Sequence, residues 1–299
     1  MPKVTVLMPV YNGQEFISEA ISSIFAQSFR DFELLVINDG STDKTKAILD
    51  VHQIKDSRLK VLHQENSGIV SALNRGLATA TGEYIARMDA DDIAHSERLL
   101  QQVTLLERFP RVVACGSAIR KFGEKNGLVS MPKTNEECLL AQLIGPCFAH
   151  PSVMLRAQTI RSNGLQYSES YQYAEDYKFW TDMVGVGDFV NIPEPLLFYR
   201  IHDAQIGKIK QDRQREVHLQ VALQNFGLAG IPIVSTKLRY FLWPGDRGIV
   251  GAIGYFTNFV FLLSNFLRYK KLRNRYFIMS LTKVAAKNSL RMFTGMAAD

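Results

Sequence analysis

The chain has 299 residues, 46% apolar and 21% charged, so it buries a large core and is no disordered polyelectrolyte. Its three cysteines, Cys115, Cys138 and Cys147, lack C-x-x-C spacing, which argues against a disulfide framework and a structural zinc site. The formal net charge of +6 is uneven: from Lys237 to Arg291 there are eleven Lys and Arg against one acid, Asp246, so the remainder is mildly acidic and no nucleic-acid footprint is spread over the body.

Met1-Pro2-Lys3 runs straight into an apolar segment with no signal peptide ahead, which predicts a cytoplasmic protein. Residues 4–8 read as a buried strand ended by Pro9. Ile17, Ala20, Ile21, Ile24 and Phe25 then recur at helical spacing. Residues 32–37 form a second strand, followed by the polar turn 38–43, where Ser41 or Thr42 can cap a helix carrying Ala47, Ile48 and Leu49. Residues 59–62 are a third strand. After Gly68, the spacing of Val70, Leu73, Asn74 and Leu77 predicts a third helix, and residues 83–86 a fourth strand. This β-α-β-α-β-α-β order predicts a mostly parallel sheet with helices on both faces.

The run Ala86-Arg87-Met88-Asp89-Ala90-Asp91-Asp92 places three carboxylates directly after that fourth strand. A divalent cation carrying a phosphorylated ligand would hold such acids together, since hard cations take oxygen ligands. An acidic turn capping the helix that begins near Ser96 would account for them as well. Ligands of open parallel sheets bind outside the carboxyl ends of the strands. That rule gathers Pro9, Tyr11 and Asn12, then Asp39, then Gln64 with Asn66, then Asp89 to Asp92 on one rim. Asp39-Gly40 and Asn12-Gly13 are also ordinary turn pairs. No G-x-G-x-x-G and no Walker-type loop follows the first strand, which disfavours a dinucleotide enzyme and a P-loop NTPase.

Further on, Arg98 to Phe109 repeats as a helix stopped before Pro110, and residues 112–115 form the next strand. Residues 116–131 read as a hairpin or loop over the site. Residues 132–144 contain a helical segment, and residues 153–156 a strand at the edge of a pocket. Glu175 and Asp176 open a helix whose apolar stripe is Phe179, Trp180, Met183 and Val184. Asp176 there is either an N-terminal acid stabilised by free amides or a general base rigidly held, with its pKa lowered by the helix start. His202 follows the strand-like run 197–201 and either meets a diphosphate or pairs with an acid. His150 is structural or faces an acceptor.

Taken in order, several fragments resemble the inverting nucleotide-sugar glycosyltransferases of bacterial family 2, over about residues 4–202. They are Val6-Leu7-Met8-Pro9-Val10-Tyr11-Asn12-Gly13, Val36-Ile37-Asn38-Asp39-Gly40-Ser41-Thr42-Asp43, Asn66-Ser67-Gly68 with Asn74-Arg75-Gly76, the run 80–92, His150-Pro151-Ser152-Val153-Met154, and Glu175-Asp176-Tyr177. The resemblance implies an α/β GT-A fold, Rossmann-like and mostly parallel, with a catalytic domain at 1–230 whose nucleotide half is about 1–115 and acceptor half about 116–230. It implies a UDP-sugar donor and Mn²⁺ or Mg²⁺. Asp39 would accept from the uracil ring nitrogen, with Pro9 and Tyr11 lining the base pocket and Asn12, Asn66 and Gly68 on the donor side. Asp89 would contact the ribose or order its loop, Asp91 would bind the metal, and Asp92 would support the sugar. Arg87 would back the metal loop, and His202 would close on the metal and diphosphate. Asp176 would be the base, with Glu175, Trp180 and His150 on the acceptor side. The chain departs from the family at Leu73, where many members carry Arg, and after His202, where serines are common.

Residues 231–299 read as a helical, basic and aromatic extension. Residues 248–267 carry no charge, and Arg268, Lys270, Lys271, Arg273 and Arg275 follow at once. Association with an anionic membrane surface, a membrane span, and packing against the catalytic domain or a second subunit all remain open for it. A lipid-linked glycan acceptor at the cytoplasmic face of the inner membrane agrees with the first. Other functions open to the sequence are a nucleotidyltransferase, a non-catalytic sugar-nucleotide binding module, and a basic membrane binder. The first of these usually wants a basic Gly-rich loop after strand one, and residues 9–20 hold no Lys or Arg.

Overall fold

A computed structural model describes residues 1–203 and 211–243. The first half alternates strictly: β1 (Val4–Val10), α1 (Ile17–Phe25), β2 (Phe32–Asp39), α2 (Thr45–Lys55), β3 (Leu59–Gln64), α3 (Gly68–Thr79) and β4 (Tyr84–Arg87). Then come β5 (Ile93–Ala94), α4 (Arg98–Arg108), β6 (Val112–Gly123), β7 (Gly127–Val129), α5 (Asn135–Ala141), β8 (Met154–Arg156), α6 (Ala157–Ser162), α7 (Glu175–Asp182) and β9 (Asp188–Ile201). Two helices, α8 (Gln211–Leu228) and α9 (Ser235–Leu242), close the described part.

Nine strands form one sheet in the order β3-β2-β1-β4-β8-β6-β9-β5, with β7 paired to β6. The β1–β2, β2–β3, β1–β4 and β6–β9 pairs are parallel, and β8 runs antiparallel between β4 and β6. Because side chains alternate along a strand, the sheet buries both faces. Val4, Val6 and Met8 of β1 pack with α1, with Leu49 of α2 and with Leu99, Val103 and Leu106 of α4. Leu7 packs on the other face with Val70, Leu73 and Leu77 of α3 and with Phe179 and Trp180 of α7. There α3 lies so close to β1 that a Cβ on Gly76 would stand 2.1 Å from Leu7 Cδ1. The three thiols are free and buried; burial pushes Cys115 up to about 12 and Cys147 well above the usual thiol range.

The structure corrects several expectations. β1 does not stop at Pro9 but runs through it to Val10, in register with β2 at Pro9↔Ile37. Leu7 carbonyl accepts from the Met88 amide on the β4 side, so two residues on Pro9 turns its missing N–H past the end of β4, where it costs no ladder bond. β6 extends well beyond 115, so the hairpin expected over residues 116–131 is the outer end of a sheet strand paired with β7. Residues 154–156 form β8 inside the sheet, between β4 and β6. Neither Ser41 nor Thr42 caps α2; Asp43 Oδ1 takes the Thr45 amide at 2.9 Å.

A third cluster joins Leu140 and Leu143 with Tyr177 of α7, Val217, Val221, Ala222 and Phe226 of α8, and Ile231, Leu238 and Phe241. The start of the basic extension thus packs on α7 and on the segment that follows α5. Among the described residues no helix is long and apolar enough to cross a membrane. The uncharged segment 248–267 and its basic flank lie outside the described residues.

Candidate active site

The parallel register brings Val10, Asp39, Gln64 and Arg87 to one edge, at the carboxyl ends of β1 to β4. On the side of β1 to β3, loops are fastened to each other. Asn12, at φ +52°, receives a hydrogen bond from the Thr42 amide at 2.8 Å and donates its own amide to Ser41 Oγ at 2.9 Å. The Gly13 and Gln14 amides bond to Thr45 and Asp43. Asp39 is 4% exposed. Its Oδ1 accepts from the Ser67 amide at 2.9 Å and from Gln64 Nε2 at 2.7 Å, and its Oδ2 from the Gly68 amide at 2.9 Å. Gly40, at φ +71°, passes so close that a Cβ would meet the Asn66 amide nitrogen at 2.6 Å. Pro9 is buried in the sheet, whereas Tyr11 is half-exposed and Asn66 exposed on the rim.

The side beyond β4 is built differently. Asp89, Asp91 and Asp92 each offer an oxygen, all within 4.8 Å of one another. They do not cap the helix after them: β5 intervenes, and the Glu97 amide is taken by His95 Nδ1. Arg87, fully inside the protein, grips Asp89 with two nitrogens at 2.8 and 2.5 Å. Arg200 at the end of β9 donates its amide to Asp92 Oδ1 at 2.9 Å and its Nε to the Asp91 carbonyl at 2.8 Å, and its guanidinium pairs with Glu19. That guanidinium lies 4.5 Å from the ring centres of Phe16 and Phe122. His202 Nε2 meets Asp91 Oδ2 at 2.9 Å. Beneath them Arg98, fully buried, donates to the Arg87 carbonyl at 2.6 Å, and burial pulls its pKa down to about 10.

Asp92 is wholly buried, and its Oδ2 has no hydrogen-bond partner. Burial, then Asp89 and Asp91, push its pKa well above the usual carboxylate range. Burial and Asp91 also raise Asp89, although Arg87 opposes them. Three acids crowded this way, one with an orphaned oxygen, fit a divalent cation, which supplies the missing charge and takes the free oxygen.

Glu175 and Asp176 occupy the first two positions of α7, with Ala174 as N-cap, so Asp176 does not cap the helix. Asp176 Oδ1 accepts from the Tyr177 amide at 2.7 Å. Its pKa is raised rather than lowered: burial outweighs that amide and Arg87. Burial and Asp176 push Glu175 up to about 7, and its Oε2 is buried without a partner. Both α7 acids belong to the same field as the metal-side acids, because Asp176 acts on Asp89 and Arg87 on Asp176. His150 bonds to Tyr167 Oη at 2.8 Å, and burial with Arg87 drives its pKa well below the usual value, so it stays neutral. Trp180, expected to face an acceptor, is instead fully buried, its ring nearly perpendicular to those of Phe148 and His150, and offers no face to a sugar. Gln64, Arg98 and Arg200 were legible only as strand-end or helix-pattern residues.

The sequence pattern described as glycosyl transferase family 2 matches residues 5–161. The chain belongs to this family. An uncharacterized glycosyltransferase of Haemophilus influenzae is 36% identical over 237 residues, 75% of this chain and 73% of that protein. The putative glycosyltransferase EpsE of Bacillus subtilis is 35% identical over 165 residues, 54% of this chain and 59% of its own length. Among solved structures, Staphylococcus aureus TarS 1–349 in complex with UDP-GlcNAc superposes with a TM-score of 0.66 at 18% identity, covering 96% of this chain and 88% of that one. The mannosyltransferase PcManGT of Pyrobaculum calidifontis, in complex with GDP-Man and Mn²⁺, gives 0.58 at 20%, with 96% and 87% covered. At such identities the likeness speaks to the fold, which for this family 2 glycosyltransferase is GT-A.

Proposed function

We propose that the chain moves a sugar from a UDP-hexose or UDP-N-acetylhexosamine to a hydroxyl of a glycan or lipid-linked glycan, by a single displacement that inverts the anomeric centre to β. The observation that carries this reading is the group Asp89, Asp91 and Asp92, with Asp92 Oδ2 orphaned, beside a raised Asp176. Asp91 is the principal metal ligand, with Asp89 and Asp92 beside it. Mn²⁺ or Mg²⁺ held there would offset the charge developing on the departing diphosphate. Arg200 and Arg98 keep the acids in place when the donor arrives. Pro9, Tyr11, Asn12, Asn66 and Gly68 surround the base and ribose, and Asp39 accepts from the base.

Asp176 removes the acceptor hydroxyl's proton. A carboxylate with a raised pKa is a stronger base than a free one, and burial on α7 fixes its distance from the rim. A glycosidase needs a second carboxyl to protonate its leaving group. A nucleoside diphosphate needs none, so Glu175 and His150 are free to position the acceptor. His202 closes on the diphosphate side of Asp91. The basic, aromatic residues beyond 243 agree with a cytoplasmic protein held peripherally at an anionic membrane where a lipid-linked acceptor resides, with self-association through that region a further expectation.

Calorimetric titration of UDP-, GDP- and dTDP-sugars, each with and without Mn²⁺, tests the donor reading. Binding that needs Mn²⁺ and favours one nucleotide is expected; equal, cation-independent binding of all of them would overturn it.

A further inference from the structure

Gln64 ends β3, and Arg75 lies on α3 facing it. The Gln64 side chain is held at both ends: its Nε2 donates to Asp39 Oδ1 at 2.7 Å and approaches Ser71 Oγ at 3.4 Å, and its Oε1 accepts from Arg75 Nη1 at 3.2 Å. Arg75 Nη1 is itself fixed on the His63 carbonyl at 2.8 Å. The amide has one consistent orientation, because a carboxylate only accepts and a guanidinium only donates. The chain from the His63 carbonyl through Arg75 and Gln64 therefore ends on one chosen oxygen of Asp39.

That choice has a chemical consequence. A carboxylate has about four acceptor positions, two on each oxygen. Among the described residues, Oδ1 carries two donors, Gln64 and the Ser67 amide, and is saturated. Oδ2 carries the Gly68 amide and keeps one position. Resting on the reading that this rim binds the donor's base, we infer that Gln64 and Arg75 are positioning residues that leave Asp39 able to accept one N–H only, and so select a base with a single ring N–H on that edge, uracil or thymine, over guanine. Guanine presents adjacent ring N–H and amino donors, which need both oxygens. Cytosine and adenine carry no ring N–H there; an amino N–H given to Oδ2 would bring their adjacent unprotonated ring nitrogen against the carboxylate, lone pair against lone pair.

Arg75 thereby acts at the base pocket by a different route from an arginine at the Leu73 position. Leu73 itself is fully buried in the α3 core and reaches no nucleotide.

The test is calorimetry of UDP and GDP, with Mn²⁺ present, on the full chain and on the variants Gln64→Ala, Arg75→Leu and Arg75→Lys. The unaltered chain should prefer UDP by about a hundredfold, near the upper end of what a buried donor or acceptor left without its partner costs. Gln64→Ala should lower UDP affinity by about tenfold and, by freeing Oδ1, narrow the UDP-to-GDP ratio by at least as much. Arg75→Leu should do the same more weakly, and Arg75→Lys should restore part of the ratio. A residue with a merely structural role would weaken both nucleotides alike. UDP binding with a ratio unchanged in Gln64→Ala, or equal loss of both nucleotides, would overturn this inference alone. Failure of the unaltered chain to bind either nucleotide would overturn the donor reading together with it.

Discussion

The two sides of the rim solve opposite problems. On the nucleotide side, Asn12, Asp39, Ser41, Asp43 and Gln64 bond to one another's loops, and Asp39 is fully engaged on one oxygen before any ligand arrives. On the chemistry side, Asp92 Oδ2 and Glu175 Oε2 are buried without partners, and Asp89, Asp92, Glu175 and Asp176 are all harder to ionise than free carboxyls. A finished cradle lets a base bind with little reorganisation. Uncompensated acids store a demand for positive charge and for a proton that the reaction can meet.

The comparison breaks first at Asp176. Asp176→Asn should lower turnover by about 10³-fold while donor affinity stays within a few fold, measured by release of nucleoside diphosphate and by calorimetry. Turnover within tenfold of the unaltered protein would move the base elsewhere. Next, Asp91→Asn should weaken Mn²⁺-dependent donor binding by about a hundredfold or more. Arg200→Met keeps a stem between Phe16 and Phe122 but removes the clasp on Asp91 and Glu19. It should weaken Mn²⁺ binding by about 10- to 100-fold, as loss of an outer support does, and fluorescence competition with Mn²⁺ would measure it.

The pH behaviour sharpens the contrast. A carboxyl whose pKa is raised by folding is protonated in the native state while the unfolded chain has already ionised. Stability therefore falls as pH rises across that window. For Glu175 the window runs from the ordinary carboxylate value of 4.5 to about 7. Without a cation, the melting temperature of the unaltered protein should fall more steeply between these pH values than that of Glu175→Gln. Identical slopes would mean that Glu175 keeps an ordinary pKa. The smallest effect is expected away from the acids. Asn74 bonds the Tyr167 backbone in both directions, at 2.9 and 2.8 Å, tying α3 to the loop before α7. Asn74→Ala should cost about 2 kcal/mol of unfolding free energy by denaturant titration, about 1 for each hydrogen bond.

Much of this architecture was readable in the residues. Apolar runs and 3.6-residue spacing located β1 to β4 and α1 to α3, because a strand buried on both faces and a helix packed on a sheet each write a local pattern. The acids 89–92 stood out because three carboxylates follow directly on a buried strand, although from the sequence a turn capping the next helix explained them as well. What escaped depends on partners distant in sequence. Pro9 ends a strand by propensity, yet is harmless where β4 has stopped. Gly116 and the polar residues after it hid the length of β6, which β9 stabilises from more than seventy residues away. Arg200 carries no signature of its own, since its role exists only where β9 meets the acid loop. The family resemblance alone put Trp180 on the acceptor side, whereas its place in the apolar stripe of α7 already pointed to the core, where it lies.

Cys115 sits in the middle of the sheet, and Cys138 on α5 and Cys147 beyond it pack with Phe179 and Trp180 of α7, all three shielded from water. Alkylating reagents attack only the thiolate and only when they can reach it. The rate at which each sulfur is labelled under native conditions therefore clocks how often its own neighbourhood breathes. Mass-resolved labelling would give separate clocks for the sheet centre and for the layer that carries Asp176, with no reporter group added to the protein.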